Sequence, residues 1–184
     1  FNTENCKYTT LKRSILINFL KKDLEGLIKN GYEISKISEQ NKQIQLSFKN
    51  NEIKECDYLI VSDGVFSKSK SLISYNQAKP KYNNTLAIRG ILPEIPNNIS
   101  DKNISLFLSS NFHHVIYPIN ADGEFNFIAV MKYRLSAKEQ KNYSLFNDNI
   151  FIKKVLEAIP LKDKKFLNDL EELKIFPVFV SDNF

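Results

Sequence analysis

The sequence predicts a mixed fold, an α/β part joined to an α+β part, and three observations lead to it. A long amphipathic helix comes first, followed by three short strands between polar turns, typical of a β-meander. An apolar run then leads into Asp63-Gly64, which is followed by polar residues typical of the start of a helix. Five more strand-like runs and two helical ones follow, typical of a mostly antiparallel sheet with helices.

The first part of the chain contains the helix and the meander. Apolar residues spaced by three and four predict a helix over 11–28, ended by Asn30-Gly31. Strands are predicted at 32–37, 43–48 and 52–56. The last strand is expected to continue through residues 59–61, because successive apolar residues are typical of a strand covered on both faces.

The second part begins where Ala78-Lys79-Pro80-Lys81 breaks the pattern, after a short helix predicted at 67–73. We therefore predict two domains, 1–78 and 79–184. Strands are predicted at 85–92, 104–109, 113–119, 125–133 and 173–180, with a turn at Asp122-Gly123, and helices at 136–143 and 149–159.

Composition excludes several classes of protein. The net charge is +5, but the 26 basic residues are nearly all lysine and are scattered among 21 acids, so no nucleic-acid surface is expected. No apolar run approaches the ~20 residues that span a bilayer, so no stable membrane insertion is expected. Cys6 and Cys56 stand apart, which favours free thiols, no metal site and a cytoplasmic location. The chain begins with Phe1, which favours a fragment.

The stretch around Asp63 carries a resemblance to a known family. An apolar strand that ends in Asp-Gly before a helix places a carboxylate where α/β proteins hold nucleotides. Asp63, Gly64, Ser67 and Lys70 stand in the register of a signature of the FAD-dependent aromatic hydroxylases, the group A flavoprotein monooxygenases. The resemblance implies a partial FAD/NAD(P)-binding Rossmann-like domain. Lys70 stands where the family usually has arginine, and Val61 stands where it usually has glycine.

A second motif extends the resemblance to the first helix. Arg13 is followed three residues later by Leu16, and the family has such a pair at the start of the helix before its meander. The resemblance implies that Arg13 lies beside the FAD phosphates, which a guanidinium holds with two donors. The cofactor-binding residues it implies are Arg13, Asp63, Gly64 and Ser67. The alternatives are a surface arginine and an ordinary Asp-Gly turn.

A third motif lies in the second domain. On a strand, His113 and Tyr117 share one face and His114 points to the other, although a one-residue bulge would exchange the two histidines. The block resembles the substrate-domain strand of salicylate and 3-hydroxybenzoate hydroxylases, which implies catalytic roles for His113 and Tyr117. The alternative is a histidine bonded within the sheet. Arg89 could meet a substrate carboxylate or bridge the domains, and the structural role is favoured.

The resemblance implies an enzyme that hydroxylates a phenolic aromatic compound with FAD, NAD(P)H and O₂. The partners implied are a small aromatic substrate and O₂, with the oligomeric state left open. The family's Gly-x-Gly-x-x-Gly and Gly-Asp motifs are absent, so the chain is expected to be an internal fragment that is inactive alone. The alternatives are a flavin-dependent reductase, a quinone-biosynthesis hydroxylase of the same superfamily, or a non-enzymatic scaffold.

Overall fold

Two compact units make up the chain. The computed structural model describes residues 9–73, 79–97, 99–119, 123–161 and 164–181. One unit combines Phe1–Leu20 with Tyr82–Val178, and the other combines Lys21–Lys81 with Phe179–Phe184. The predicted domains, 1–78 and 79–184, remain a prediction. Cys6 and Asp122, which the sequence analysis singled out, lie outside the described residues.

A three-stranded antiparallel meander forms the smaller sheet, in the order β1-β2-β3. Its strands are β1 (Ile34–Gln40), β2 (Gln43–Phe48) and β3 (Ile53–Cys56). Asn41 and Lys42 both have positive φ, 53° and 66°, the backbone twist that suits a two-residue hairpin. The predicted meander is therefore present.

The predicted continuation of β3 is wrong. Residues 57–64 form no strand, and Tyr58 and Ile60 are 89% and 90% exposed. A strand covered on both faces needs hydrogen-bonded neighbours. Within the described residues no strand pairs with 57–64, so most of the apolar run stays exposed.

The first helix is shorter than predicted. Helix α1 covers Arg13–Lys21, and isolated turns replace the rest of the predicted helix. None of its residues is buried, so α1 gains little from packing, which is the main source of helix stability in proteins. Gly26 further disfavours helix by roughly 1 kcal/mol relative to alanine. No helix among the described residues has the length and apolar character needed to cross a membrane.

Helix α2 covers Lys68–Ile73 and lies beside the meander. Lys68 Nζ lies 2.7 Å from Glu33 Oε1, and Lys49 Nζ lies 2.9 Å from the same oxygen. Hydrogen bonds from Lys68 and then Lys49 lower the pKa of Glu33 to about 2. The Lys68–Glu33 pair links α2 to the residue before β1, and both pairs are exposed, so they contribute little to stability.

The larger sheet has five strands in the order β5-β6-β7-β4-β8. Its strands are β4 (Lys81–Leu92), β5 (Ser105–Leu108), β6 (Phe112–Pro118), β7 (Phe125–Lys132) and β8 (Glu171–Val180). The β4–β7, β5–β6 and β6–β7 pairs are antiparallel. The mostly antiparallel second sheet predicted from the sequence is confirmed.

One face of this sheet forms the core with helix α3 (Asn149–Ala158). Asp148 caps α3, since its Oδ1 accepts a hydrogen bond of 2.8 Å from the Phe151 N–H. The fully buried side chains include Leu86, Ile88, Ile116, Phe127 and Val155. Each contributes roughly 1.5–3 kcal/mol by leaving water.

The helix predicted at 136–143 is a pair of short 3-10 turns, Glu139–Lys141 and Tyr143–Asn147. Ser136 and Glu139 cap each other reciprocally, which starts a helical turn. Asn142 then leaves helical geometry at φ −97° and ψ 85°, so no α-helix continues.

Gly90 marks a close approach between β4 and the start of β8. A Cβ there would lie 2.9 Å from Leu170 Cδ2 and 3.2 Å from the Glu171 carbonyl oxygen. We expect Gly90→Ala to lower the free energy of unfolding by about 1–3 kcal/mol, the usual cost of overpacking. Urea denaturation measures this change. Gly26→Ala is the matched control, because within the described part of the chain no atom lies within 4 Å of its Cβ position. An equal loss in both variants would contradict the prediction.

Candidate functional site

The side chains of strand β6 alternate between the core and the opposite face of the sheet. Phe112, His114 and Ile116 are buried in the core, whereas His113 and Tyr117 alternate with them and are half-buried. The ladder from Phe112–Pro118 to β7 runs without a register shift, so no bulge exchanges the two histidines. The structure therefore places His113 and Tyr117 on the same face of the sheet.

We call the sheet face opposite the core the outer face. Cross-strand partners share a face, so the ladders define its members. They are His113, Val115 and Tyr117 of β6, Asn126, Ile128 and Val130 of β7, and Ala87, Arg89 and Ile91 of β4. The face is mainly aliphatic, with an imidazole, a phenol, an amide and a guanidinium among the aliphatic side chains.

Arg89 and Asn126 contact each other across the outer face. The Arg89 Nε–H donates to Asn126 Oδ1 at 3.1 Å. Asn126 is fully buried, and its Nδ2 has no hydrogen-bond partner among the described residues. Arg89 itself is exposed. The contact was not found from the sequence, because the β4–β7 register depends on a long connection that local patterns do not encode.

His114 lies in an aromatic environment on the core side. Its ring stacks on Phe107 with centroids 4.4 Å apart, and the rings of Phe112 and Phe127 lie within 6.0 Å. Burial lowers the pKa of His114 by desolvating the imidazolium, and the charge of His113 lowers it further. His114 is therefore a neutral core residue at neutral pH.

The lowered pKa of His114 predicts a pH-dependent stability. The unfolded chain binds a proton at the ordinary pKa of ~6.5, whereas the folded chain resists it, so stability falls as pH drops through that value. We expect urea midpoints to decrease between about pH 8 and about pH 5 by more in wild type than in His114→Phe, which keeps an aromatic ring without a titrating group. Identical pH profiles in the two proteins would contradict this prediction.

The other predicted residues lie on the turn before α2. Asp63 Oδ2 accepts a hydrogen bond of 3.2 Å from the Ser69 N–H, and Ser67 Oγ accepts one of 2.9 Å from the Lys70 N–H. The hydrogen bond with the Ser67 hydroxyl lowers the pKa of Asp63 most. Desolvation opposes this effect, and the Ser69 amide lowers the pKa further. Both side chains thus cap α2.

Gly64 supplies the backbone geometry of this turn. Its φ is +79°, a conformation that other residues rarely adopt. No atom of the described residues lies within 4 Å of its Cβ position, so the backbone is open on that side. The turn is exposed, and the absence of a side chain at Gly64 leaves room for a ligand to approach its backbone.

Arg13 is exposed at the first position of α1. The segment before it is tied to the ends of β6 and β7, since the Thr10 hydroxyl donates to the Pro118 carbonyl at 2.5 Å and Lys12 Nζ lies 2.6 Å from Glu124 Oε2. Arg13 belongs to the unit of the larger sheet, whereas Asp63, Gly64 and Ser67 belong to the other unit.

Comparisons with known proteins identify solved structures that share this fold. No family model matches the sequence, and no curated protein matches it. A solved salicylate hydroxylase substrate complex is 16% identical, with a TM-score of 0.69 over 94% of this chain and 46% of that chain. CtdE, solved with FAD and a substrate, is 14% identical, with a TM-score of 0.68 over 92% of this chain and 44% of that one. The chain has the fold of FAD-dependent aromatic hydroxylases.

A third structure with the hydroxylase fold is HpxO of Klebsiella pneumoniae, solved with FAD and uric acid. It is 15% identical, with a TM-score of 0.58 over 91% of this chain and 43% of that chain. The chain thus spans less than half the length of these three structures. At such identities the likeness establishes the fold, and activity has to be inferred from the chain's own residues.

Proposed function

We propose that this chain is part of an FAD-dependent monooxygenase that hydroxylates a phenolic aromatic compound with NAD(P)H and O₂. The observation that carries the proposal is the outer face, where His113 and Tyr117 stand on one strand beside aliphatic side chains. An aliphatic surface suits a planar ring, and the two polar groups suit its hydroxyl. The hydroxylase fold supports the same reading.

His113 is the proposed base. A neutral imidazole accepts the phenolic proton of the substrate, directly or through Tyr117, and the ring becomes richer in electrons. Val115 lies between the two residues on the same face, so a ring placed on it reaches both. Tyr117 orients the substrate hydroxyl by hydrogen bonding.

FAD, when bound, would supply the redox chemistry and the activated oxygen. The residues proposed to hold it are Arg13 at its phosphates and the Asp63–Ser67 turn, where Gly64 leaves the backbone open. The carboxylate of Asp63 already caps α2, so its contribution is to shape the turn rather than to bond the cofactor directly. The chain contains no Gly-x-Gly-x-x-Gly motif, so this set holds only part of the cofactor.

The test is oxygen incorporation by the full-length protein that contains this chain. The purified protein is supplied with NADH or NADPH, ¹⁸O₂ and a panel of phenols, and the products are analysed by mass spectrometry. We expect one ¹⁸O atom in the product and a flavin absorbance spectrum in the protein. Substrate turnover without ¹⁸O would support a flavin-dependent reductase or oxidase instead, and the absence of flavin would overturn the proposal.

A further inference from the structure

Strand β5 lies at one edge of the larger sheet. It pairs with β6 on one side, and among the described residues no strand pairs with it on the other. The Ser109 N–H donates to the Phe112 carbonyl at 2.8 Å, next to the first pair of the β5–β6 ladder. Because backbone hydrogen bonds alternate in direction along an antiparallel strand, the N–H and C=O groups of Leu106 and Leu108 point away from β6. The strand therefore presents backbone donors and acceptors at an open edge.

The side chains along this edge are aliphatic and exposed. Leu106 faces Val115 across the β5–β6 ladder, so it lies on the outer face, and Leu108 shares that face two residues further on. The exposed fractions of Leu106 and Leu108 are 54% and 75%. Ile104, directly before β5, is also exposed. A row of aliphatic side chains thus accompanies the outward-pointing backbone groups.

Strand β5 carries none of the features that usually stop an edge strand from pairing with another chain, which are lysine, proline and a β-bulge. Its sequence, Ser105–Leu108, contains no lysine or proline, and its register with β6 has no shift. Residues 103–121 contain no Asp, Glu, Lys or Arg, although these types make up 26% of the chain. Depletion of charged residues is typical of the centre of a protein interface. The β5 edge is therefore suited to pairing with another strand.

The absence of charge favours a second copy of the same strand as the partner. In an antiparallel pair about a two-fold axis, a strand faces itself, so a charged strand would bring like charges together. The uncharged segment 103–121 avoids that repulsion. With Leu106 on the axis, Leu108 of one copy faces Ile104 of the other. Aliphatic side chains then meet aliphatic ones, and the outward-pointing backbone groups of the two strands meet as well.

We propose that β5 pairs with β5 of a second copy of this chain, antiparallel about a two-fold axis at Leu106. Two five-stranded sheets would thereby join into one continuous sheet. Three facing pairs, at two bonds each, give about six backbone hydrogen bonds. At about one bond per 100–200 Å², the dimer buries roughly 600–1,200 Å² in total, the size of a weak, reversible interface. We expect a dissociation constant of about 10–100 μM.

Sedimentation velocity of the full-length protein that contains this chain tests the dimer. Wild type should shift from monomer to dimer as its concentration rises from about 5 to about 300 μM. Leu106→Lys and Leu106→Glu should each weaken self-association about 10-fold or more, because two like charges then meet on the axis. An equimolar mixture of the two variants should associate again, since opposite charges now face each other. That recovery is specific to residue 106 facing its own counterpart.

Ile150→Lys is the matched control. It adds the same charge in place of an exposed aliphatic side chain on α3, in the same unit as β5. It should leave self-association unchanged. Thermal midpoints show that each variant is folded, so a loss of dimer cannot be attributed to unfolding.

Three results would overturn the dimer: wild type stays monomeric over this range, Leu106→Lys associates as wild type does, or the mixture of the two variants stays monomeric. Strong hydrogen-exchange protection of residues 104–108 in a monomeric protein would also overturn it, because another part of the same protein would then cover the edge. These measurements involve no substrate and no turnover. Failure of the dimer therefore leaves the proposed function in place, and absence of ¹⁸O incorporation leaves the dimer in place.

Discussion

Replacing His113 with alanine is expected to lower kcat/KM for hydroxylation by about 10²- to 10⁴-fold, the range typical of a lost general base. The flavin content of the full-length protein should stay close to that of wild type, because His113 lies on the outer face of the larger sheet and not on the proposed cofactor turn. Product formation and NAD(P)H consumption, measured separately, check this result.

Val130→Ala is the matched control for that variant. Val130 faces His113 directly across the β6–β7 ladder and shares the outer face, so its truncation disturbs the same surface without removing a base. We expect a small change in kcat/KM. Added imidazole should restore part of the activity of His113→Ala and none in the control. Equal losses of flavin content and rate in His113→Ala would count against a base role.

Phe127→Ala is expected to reduce the free energy of unfolding by about 3–5 kcal/mol, the usual range for a buried phenylalanine. Phe127 is fully buried on β7, with its ring centroid 5.7 Å from that of Phe166 and 6.0 Å from that of His114. Few neighbours can move into the resulting cavity, since both adjacent strands are fixed by their ladders. The free energy of unfolding of a domain is only about 5–15 kcal/mol, so Phe127→Ala would remove a large fraction of it.

Urea denaturation followed by circular dichroism measures this effect. The control is Phe176→Ala on β8, because that side chain is 47% exposed and leaves water only in part. We expect its cost to lie well below that of Phe127→Ala. Comparable destabilisation of the two variants would show that the core on this side of the sheet is not the main source of stability.

The strands were predictable from the sequence because their signals are local. A run of β-type residues predicted β6, and the two-residue period of a strand predicted which side chains share a face. The structure places His113 and Tyr117 together as that period requires. The meander was likewise indicated by short β-type runs between turn residues. The structure tests where these side chains lie, whereas their catalytic roles remain a proposal.

Features that depend on distant neighbours were not predictable. The periodic apolar residues after Lys21 suggested a longer helix, but periodicity does not show whether a surface exists to bury them. The strand predicted at 59–61 was wrong for the same reason, because an apolar run does not show whether a neighbouring strand is present to cover it. Arg89 and Asn126 are 37 residues apart, so their contact depends on the register between β4 and β7, and no local pattern encodes that register.

The alternation along β6 has an evolutionary consequence. Over residues 112–117, the side chains that fill the core and those of the proposed substrate surface occupy separate, interleaved positions. Under the proposed function, a point mutation at 113, 115 or 117 would alter which molecule is recognised while the inward-facing residues keep their contacts. Descendants of such a sheet can therefore diversify in chemistry through single steps, without first acquiring compensating changes that restore folding.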